Sequence, residues 1–194
     1  MRGYRADTAF DGNRELPGGA LVLVDDGVIV GVEPAAASAP DGCEVQYRPG
    51  TTLLPGLIDA HTHLCGDNTM RALDQLPELG PDQLDTIVTA SMHQQLAVGV
   101  TAVRDLGDHQ WTVVERHRGR PDGLTVVASG PPITCVKGHC ANMGGEAAGI
   151  DQLRAAVRER AERGADLVKI MTSGGIMTAG TDILAPQFTV DDRA

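Results

Sequence analysis

Aromatic side chains are scarce in this chain: Phe, Tyr and Trp make up 3% of 194 residues. A core must then be assembled from aliphatic Val, Leu, Ile and Ala. No run approaches the roughly 20 apolar residues that a membrane-crossing helix needs. The opening MRGYRADTAFDGNREL has no apolar signal core. Positive charge is also in short supply. Sixteen Lys and Arg stand against 26 Asp and Glu, a net charge of −10, which argues against a nucleic-acid partner because phosphates would be repelled. None of the four cysteines (Cys43, Cys65, Cys135, Cys140) form a CxxC pair. These absences point to a cytoplasmic protein with reduced thiols and no membrane partner. Cys135, His139 and Cys140 could form one corner of a zinc site, although their spacing matches no common one. No sequence repeat or low-complexity tract is present.

What the chain does have is a 42% apolar composition, enough for a folded globular protein of one or two domains. Its first 50 or so residues read as β. LVLVDDGVIVGV, residues 21–32, is two Val-rich runs around Asp25-Asp26-Gly27, a hairpin signal with Gly27 supplying positive φ. After residue 60 the rhythm changes. From Pro81 apolar residues fall at 84, 87, 88, 92 and 96, a helical period with Asp82 at its start and Gly99 at its end. Strands are predicted at 100–107, 124–130 and 165–175. A short helix is predicted over 109–119. A second amphipathic helix runs from Asp151 to Gly164, with Leu153, Ala156, Val157 and Ala161 inward. Its arginines (Arg154, Arg158, Arg160, Arg163) alternate with Glu159 and Glu162 and read as a solvated face. Apolar strands separated by helices imply a parallel sheet whose C-terminal strand ends carry the chemistry.

Those strand ends are polar or glycine-rich: HTHLCG, RDLG, ASGPP and TSGG. In HTH, His61 and His63 stand two apart at the end of a strand, so both point to the same side. Two neutral imidazoles converging on one point can bind a divalent metal; a solvated pair is the blander alternative, but the preceding Pro-Gly-Leu-Ile-Asp makes burial the expectation. Lys169, inside LVKIM, falls in a run expected to be buried. It either lowers its pKa there or snorkels its head to solvent. Asp105 is expected to cap a loop or hold a histidine. Cys65 lacks a positioned base, so it is not read as a nucleophile. His93, His109 and His117 read as incidental, and Gly174-Gly175 lacks the Lys-Ser/Thr of a phosphate loop.

PGLIDAHTH resembles the signature of the metal-dependent amidohydrolase superfamily, whose first barrel strand ends in His-x-His. ADTAFDGN and VLVDDGVIVGV are similar to its N-terminal β-sandwich, GVTAVRDLG to its second barrel strand. GADLVKIMTSGG resembles the fourth strand of members related to imidazolonepropionases and to Xaa-Pro or Xaa-Arg/Lys dipeptidases. The resemblance implies an α/β fold: a β-sandwich over 1–54, then the first four strand–helix units of an eight-stranded TIM-like barrel over 55–194. It implies that His61 and His63 are metal ligands and that Lys169 becomes a carbamate bridging two metals. His139 would touch the substrate or its carbonyl oxygen. Zinc is the default metal, with manganese, cobalt or iron as alternatives. The implied reaction is hydrolysis of an amide in a dipeptide or a cyclic amide by a metal-activated water. A mononuclear deaminase is the alternative chemistry.

Four predicted strands are half of such a barrel, and the relatives' later histidines and aspartate have no counterpart here. The sequence-based expectation is therefore the N-terminal half of an enzyme, inactive by itself, or else a non-catalytic fragment or one half of a split enzyme. The complete enzyme is expected to be a homo-oligomer acting on a small molecule or dipeptide. Thr189 reads as the N-cap of a further helix.

Overall fold

The computed structural model describes residues 1–120 and 123–189, and the chain divides into two compact units, Met1–Leu57 and Ile58–Ala194. In the first, strand β1 (Arg2–Phe10) is the spine. On one edge it pairs antiparallel with β3 (Ala20–Asp25) along Arg2–Ala6, and with the two-residue β2 (Glu15–Leu16) at Ala9–Phe10. On the other it pairs parallel with β5 (Glu44–Leu53). The expected hairpin is present: β3 turns into β4 (Val28–Pro34) through Asp26 and Gly27, both at positive φ (48° and 77°). Two left-handed residues match the twist of a two-residue hairpin, and Asp-Gly accepts them most readily. The β1–β5 register slips between Ala6 and Thr8. There Asp7 accepts hydrogen bonds from the Tyr47 hydroxyl (2.6 Å) and the Gly50 N–H (2.7 Å), which holds the displaced segment of β5.

The sandwich expected over residues 1–54 is a single sheet among the described residues. Both long edges of β1 are taken up by in-plane pairing. Few residues of the sheet are buried (Ala6, Ala9, Ala20, Leu21, Leu23), and they are divided between its two faces, while Val28, Ile29, Val30 and Val32 of β4 lie exposed.

The second unit has a three-stranded sheet in the order β6 (Leu57–Thr62), β7 (Val100–Asp105), β8 (Thr125–Ala128), with β7 and β8 parallel. Helix α1 (Pro81–Ala97) lies between β6 and β7 in sequence, as predicted. It buries Leu84, Val88 and Met92, and Gly99 follows at φ 86°. The core joins these to Leu64, Leu76, Val103, Trp111, Val113, Leu124, Val126 and Met143, an aliphatic interior with one indole.

Five expectations need correction. The predicted strand at 165–175 does not form. Asp166 N–H donates to Ala128 O (2.8 Å), and residues 169–171 meet Ile133 at one isolated parallel bridge. Between these contacts the partner strand is broken by Pro131 and Pro132, which have no N–H for a ladder. The predicted helix at 109–119 is a five-residue π-helical turn, Val113–His117. It is entered through Gln110 and Trp111, both left-handed (φ 55° and 61°). Helix α2 (Gly149–Glu162) buries Leu153 and Arg160 and leaves Val157 and Ala161 exposed. Its arginines are not all solvated. Arg160 is 2% exposed and donates to Pro131 O through Nε (3.1 Å) and Nη2 (2.7 Å). Arg163 lies over the Trp111 ring, 4.1 Å from its centroid. Lastly, His117 is not incidental. It is buried, with Nε2 2.9 Å from Asp85 Oδ1. The helix start read at Thr189 runs into residues outside those described. Among the described residues no helix is long and apolar enough to cross a membrane.

Candidate metal centre

His61 is the penultimate residue of β6 and His63 stands one residue past the strand. As the alternation requires, their rings face one another, with centroids 5.5 Å apart and planes at 70°. His61 is exposed, against the expectation of burial, while His63 is half-buried. The His61 N–H donates to Asp59 Oδ1 (3.0 Å), which fixes the backbone entering the pair. The Nδ1 of His63 lies 3.3 Å from Gly107 O.

Both imidazoles are shifted toward neutrality. Partial burial lowers the pKa of His61, and the charges of Lys169 and Arg104 add to this, opposed by Asp59. Burial likewise lowers that of His63. Its bond to Gly107 opposes this, while the charges of His61, Lys169 and His139 reinforce it. His139, in the loop after β8, is lowered by burial and then by Lys169. One lysine therefore acts on three histidines that are 30 to 108 positions away from it. The fold brings His61, His63, His139 and Lys169 to one locality. A lowered pKa leaves imidazole lone pairs free at neutral pH, as a metal ligand requires.

Lys169 is less enclosed than its sequence suggests. It is half-buried, and its neighbours Val168 and Ile170 are each 37% exposed. Its carbonyl accepts the Ile133 N–H at 2.8 Å, which anchors the backbone there. His139 is held through Nδ1 by Thr178 Oγ1 (2.8 Å). Its ring lies against Gly175, where an added Cβ would fall 2.4 Å from Cε1. At Gly174 a Cβ would fall 2.3 Å from Asp182 O. Close packing thus accounts for the Gly174-Gly175 pair that carried the weak phosphate-loop signal.

Asp105 caps the turn after β6, as anticipated: Oδ2 accepts the Leu64 N–H (2.7 Å) and Oδ1 the Gly107 N–H (3.3 Å). Its burial, with Asp108 nearby, pushes its pKa well up. Asp108, which the sequence reading passed over, is also buried. Its Oδ2 accepts the N–H groups of Val113 (3.0 Å) and Val114 (3.2 Å). Desolvation raises its pKa to about 7. A second aspartate three residues after the first, in RDLGD, was the available signal. Cys65 is buried with its thiol pushed well up by desolvation, so it is no nucleophile. Cys140 Sγ lies 3.5 Å from His139 Nε2, but burial raises that thiol to about 11. Among the described residues no three His, Cys, Asp or Glu side chains converge as a metal-binding group, so the Cys135–His139–Cys140 corner does not form. His61 and His63 therefore fit a divalent cation as part of a ligand set: two neutral, adjacent nitrogen donors beside a lysine.

The chain is similar to several known proteins. Over 118 residues the chain is 35% identical to a dihydroorotase of Mycobacterium tuberculosis, covering 55% of this chain and 23% of that protein. It is 27% identical over 168 residues to an ochratoxinase of Aspergillus niger, covering 72% of this chain and 35% of that one. The crystal structure of a Xaa-Pro dipeptidase with methionine bound in its active site superposes with a TM-score of 0.82 at 25% identity. The match covers 98% of this chain and 52% of the dipeptidase. The chain thus spans about half the length of that structure and less of the curated relatives. A sequence model described as the Amidohydrolase family matches residues 52–192, nearly all of the second unit and the end of β5, and this chain belongs to that family.

Proposed function

We propose that the protein carrying this chain hydrolyses C–N bonds of small amides, in a dipeptide or a cyclic amide, at a divalent-metal centre to which His61 and His63 contribute. The observation that supports this most directly is the pair of imidazoles at the end of β6, their ring centroids 5.5 Å apart and both shifted toward the neutral form by burial and by the charge of Lys169. The names of the relatives support the substrate class: a dihydroorotase and a Xaa-Pro dipeptidase. Amidohydrolases generally depend on metals, and a bound divalent cation would polarise the scissile carbonyl and acidify water. Zinc suits imidazole donors, with manganese, cobalt or iron as alternatives.

The chain's own residues have separate tasks. His61 and His63 present nitrogen lone pairs. His139, oriented by Thr178, is the candidate contact for the substrate carbonyl. Lys169 is proposed to react with carbon dioxide as the free amine, forming an N–C bond and releasing a proton. The ammonium that now disfavours charge on three histidines would become an anion able to bridge two cations. Residues 1–54 are read as a domain separate from 55–194. With a net charge of −10 the expected partner is a small molecule and not a nucleic acid, and the complete enzyme is read as a cytoplasmic homo-oligomer.

The test uses the native protein. Chelation should abolish hydrolysis of a dipeptide and cyclic-amide panel, and zinc or manganese should restore it. His61→Ala should remove most bound metal and lower kcat/KM by at least about 100-fold. Turnover that survives chelation, or full metal content in both His61→Ala and His63→Ala, would overturn the proposal.

A further inference from the structure

The amidohydrolase reading assigns His63 a task but does not say what holds its ring. We infer that the turn Asp105–Gly107 at the end of β7 is the positioning device for His63. It fixes the ring with Nδ1 protonated and Nε2 presented as the lone-pair donor. This inference rests on the metal-centre reading and deepens it.

The geometry closes a loop of contacts. A carbonyl oxygen can only accept, so the 3.3 Å contact between His63 Nδ1 and Gly107 O places the proton on Nδ1. The same oxygen accepts the Cys65 thiol at 3.4 Å. The Gly107 N–H is tied to Asp105 Oδ1 (3.3 Å), and Asp105 Oδ2 takes the Leu64 N–H (2.7 Å), one residue beyond His63. One fully buried carboxyl therefore grips the backbone on both sides of the contact: the residue after the ligand and the residue whose carbonyl orients it. Metal-bound histidines usually carry such a bond on their second ring nitrogen, which sets the tautomer.

Gly107 has no positive φ, so its need for glycine is spatial. A Cβ there would fall 2.4 Å from His63 Nδ1, 2.7 Å from its Cε1 and 2.8 Å from Met143 Sδ. Any side chain at 107 must displace the ring. The residues DLG at the end of one strand and HTHL at the end of its neighbour thus form one assembly, in which Asp105 and Gly107 act through His63 and need not touch substrate.

The experiment uses the metal-free native protein with 15N-labelled histidine, at about pH 8, above the ordinary histidine range. His63 is assigned by loss of its signals in His63→Gln. The expected spectrum shows Nδ1 bearing the proton and Nε2 bare. A proton on Nε2 overturns the inference, and does so even where zinc still binds, which would leave the metal reading standing. Conversely, an Nδ1 proton in a protein that binds no zinc supports the positioning while sinking the metal reading. Gly107→Ala, checked for a native-like amide spectrum, should weaken zinc binding by roughly 10–100-fold and move the His63 nitrogen signals. Unchanged affinity with unmoved signals overturns the inference. Should that variant not fold, the tautomer in the unmodified protein decides the matter.

Discussion

The two units of this chain are ordered by different means. The first is a sheet whose strands are joined edge to edge, with only three alanines and two leucines buried and a β4 open to solvent along its length. The second has a short sheet but a thick interior, in which side chains from α1, the 64–76 segment, β7, β8 and the Trp111 turn meet. Backbone ladders dominate the one, side-chain burial the other. The histidine pair and its supports lie in the second, where packing can hold a ring to within a fraction of an ångström.

That contrast can be broken most forcefully at Leu84. It is fully buried in α1, and Leu84→Ala should cost about 2–5 kcal/mol, read as a lowered denaturation midpoint. A loss under about 1 kcal/mol would mean that the second unit is not held by its core.

A pH-dependent effect, comparable in size, tests its buried acids. The folded pKa of Asp108 is about 7, above its ordinary 3.8, because burial disfavours the charge. A raised acid binds more protons folded than unfolded, so its contribution is fully present below about pH 4 and is lost as pH rises through about 7. Relative to Asp108→Asn, the parent protein should lose on the order of 4 kcal/mol between those limits. A constant difference across that range, from urea unfolding at each pH, would show that Asp108 is solvated.

The smallest effect is expected in the first unit. Val30 is 56% exposed in β4, and Val30→Thr keeps the β-branched shape, so stability should change by less than about 0.5 kcal/mol. A larger loss would show that this strand is covered in the native protein.

What the sequence disclosed followed the same division between local and long-range causes. The Asp26-Gly27 hairpin, the helix over 81–97 and the facing His61 and His63 depend on turn chemistry or periodicity within one element, and all could be read. The failures involve partners distant in the chain. LVKIM has the composition of a strand, but Pro131 and Pro132 interrupt the neighbour it needs. Arg160 looks solvated on a helical wheel and is buried because Pro131 O and the Trp111 ring lie beneath it. His117 depends on Asp85, 32 residues earlier. Gly107 has an ordinary φ, and only the ring of His63, 44 residues before it, explains why a glycine stands there.

The Trp111 stack has an optical consequence. The chain has one tryptophan, Trp111, 7% exposed and overlaid by the Arg163 guanidinium in the second unit. Its two tyrosines, Tyr4 and Tyr47, both belong to the first. Red-edge excitation, where phenols do not absorb, therefore reports selectively on the unit that bears the histidines. Unfolding the chain while recording that signal would follow the second unit by itself, without any label being attached.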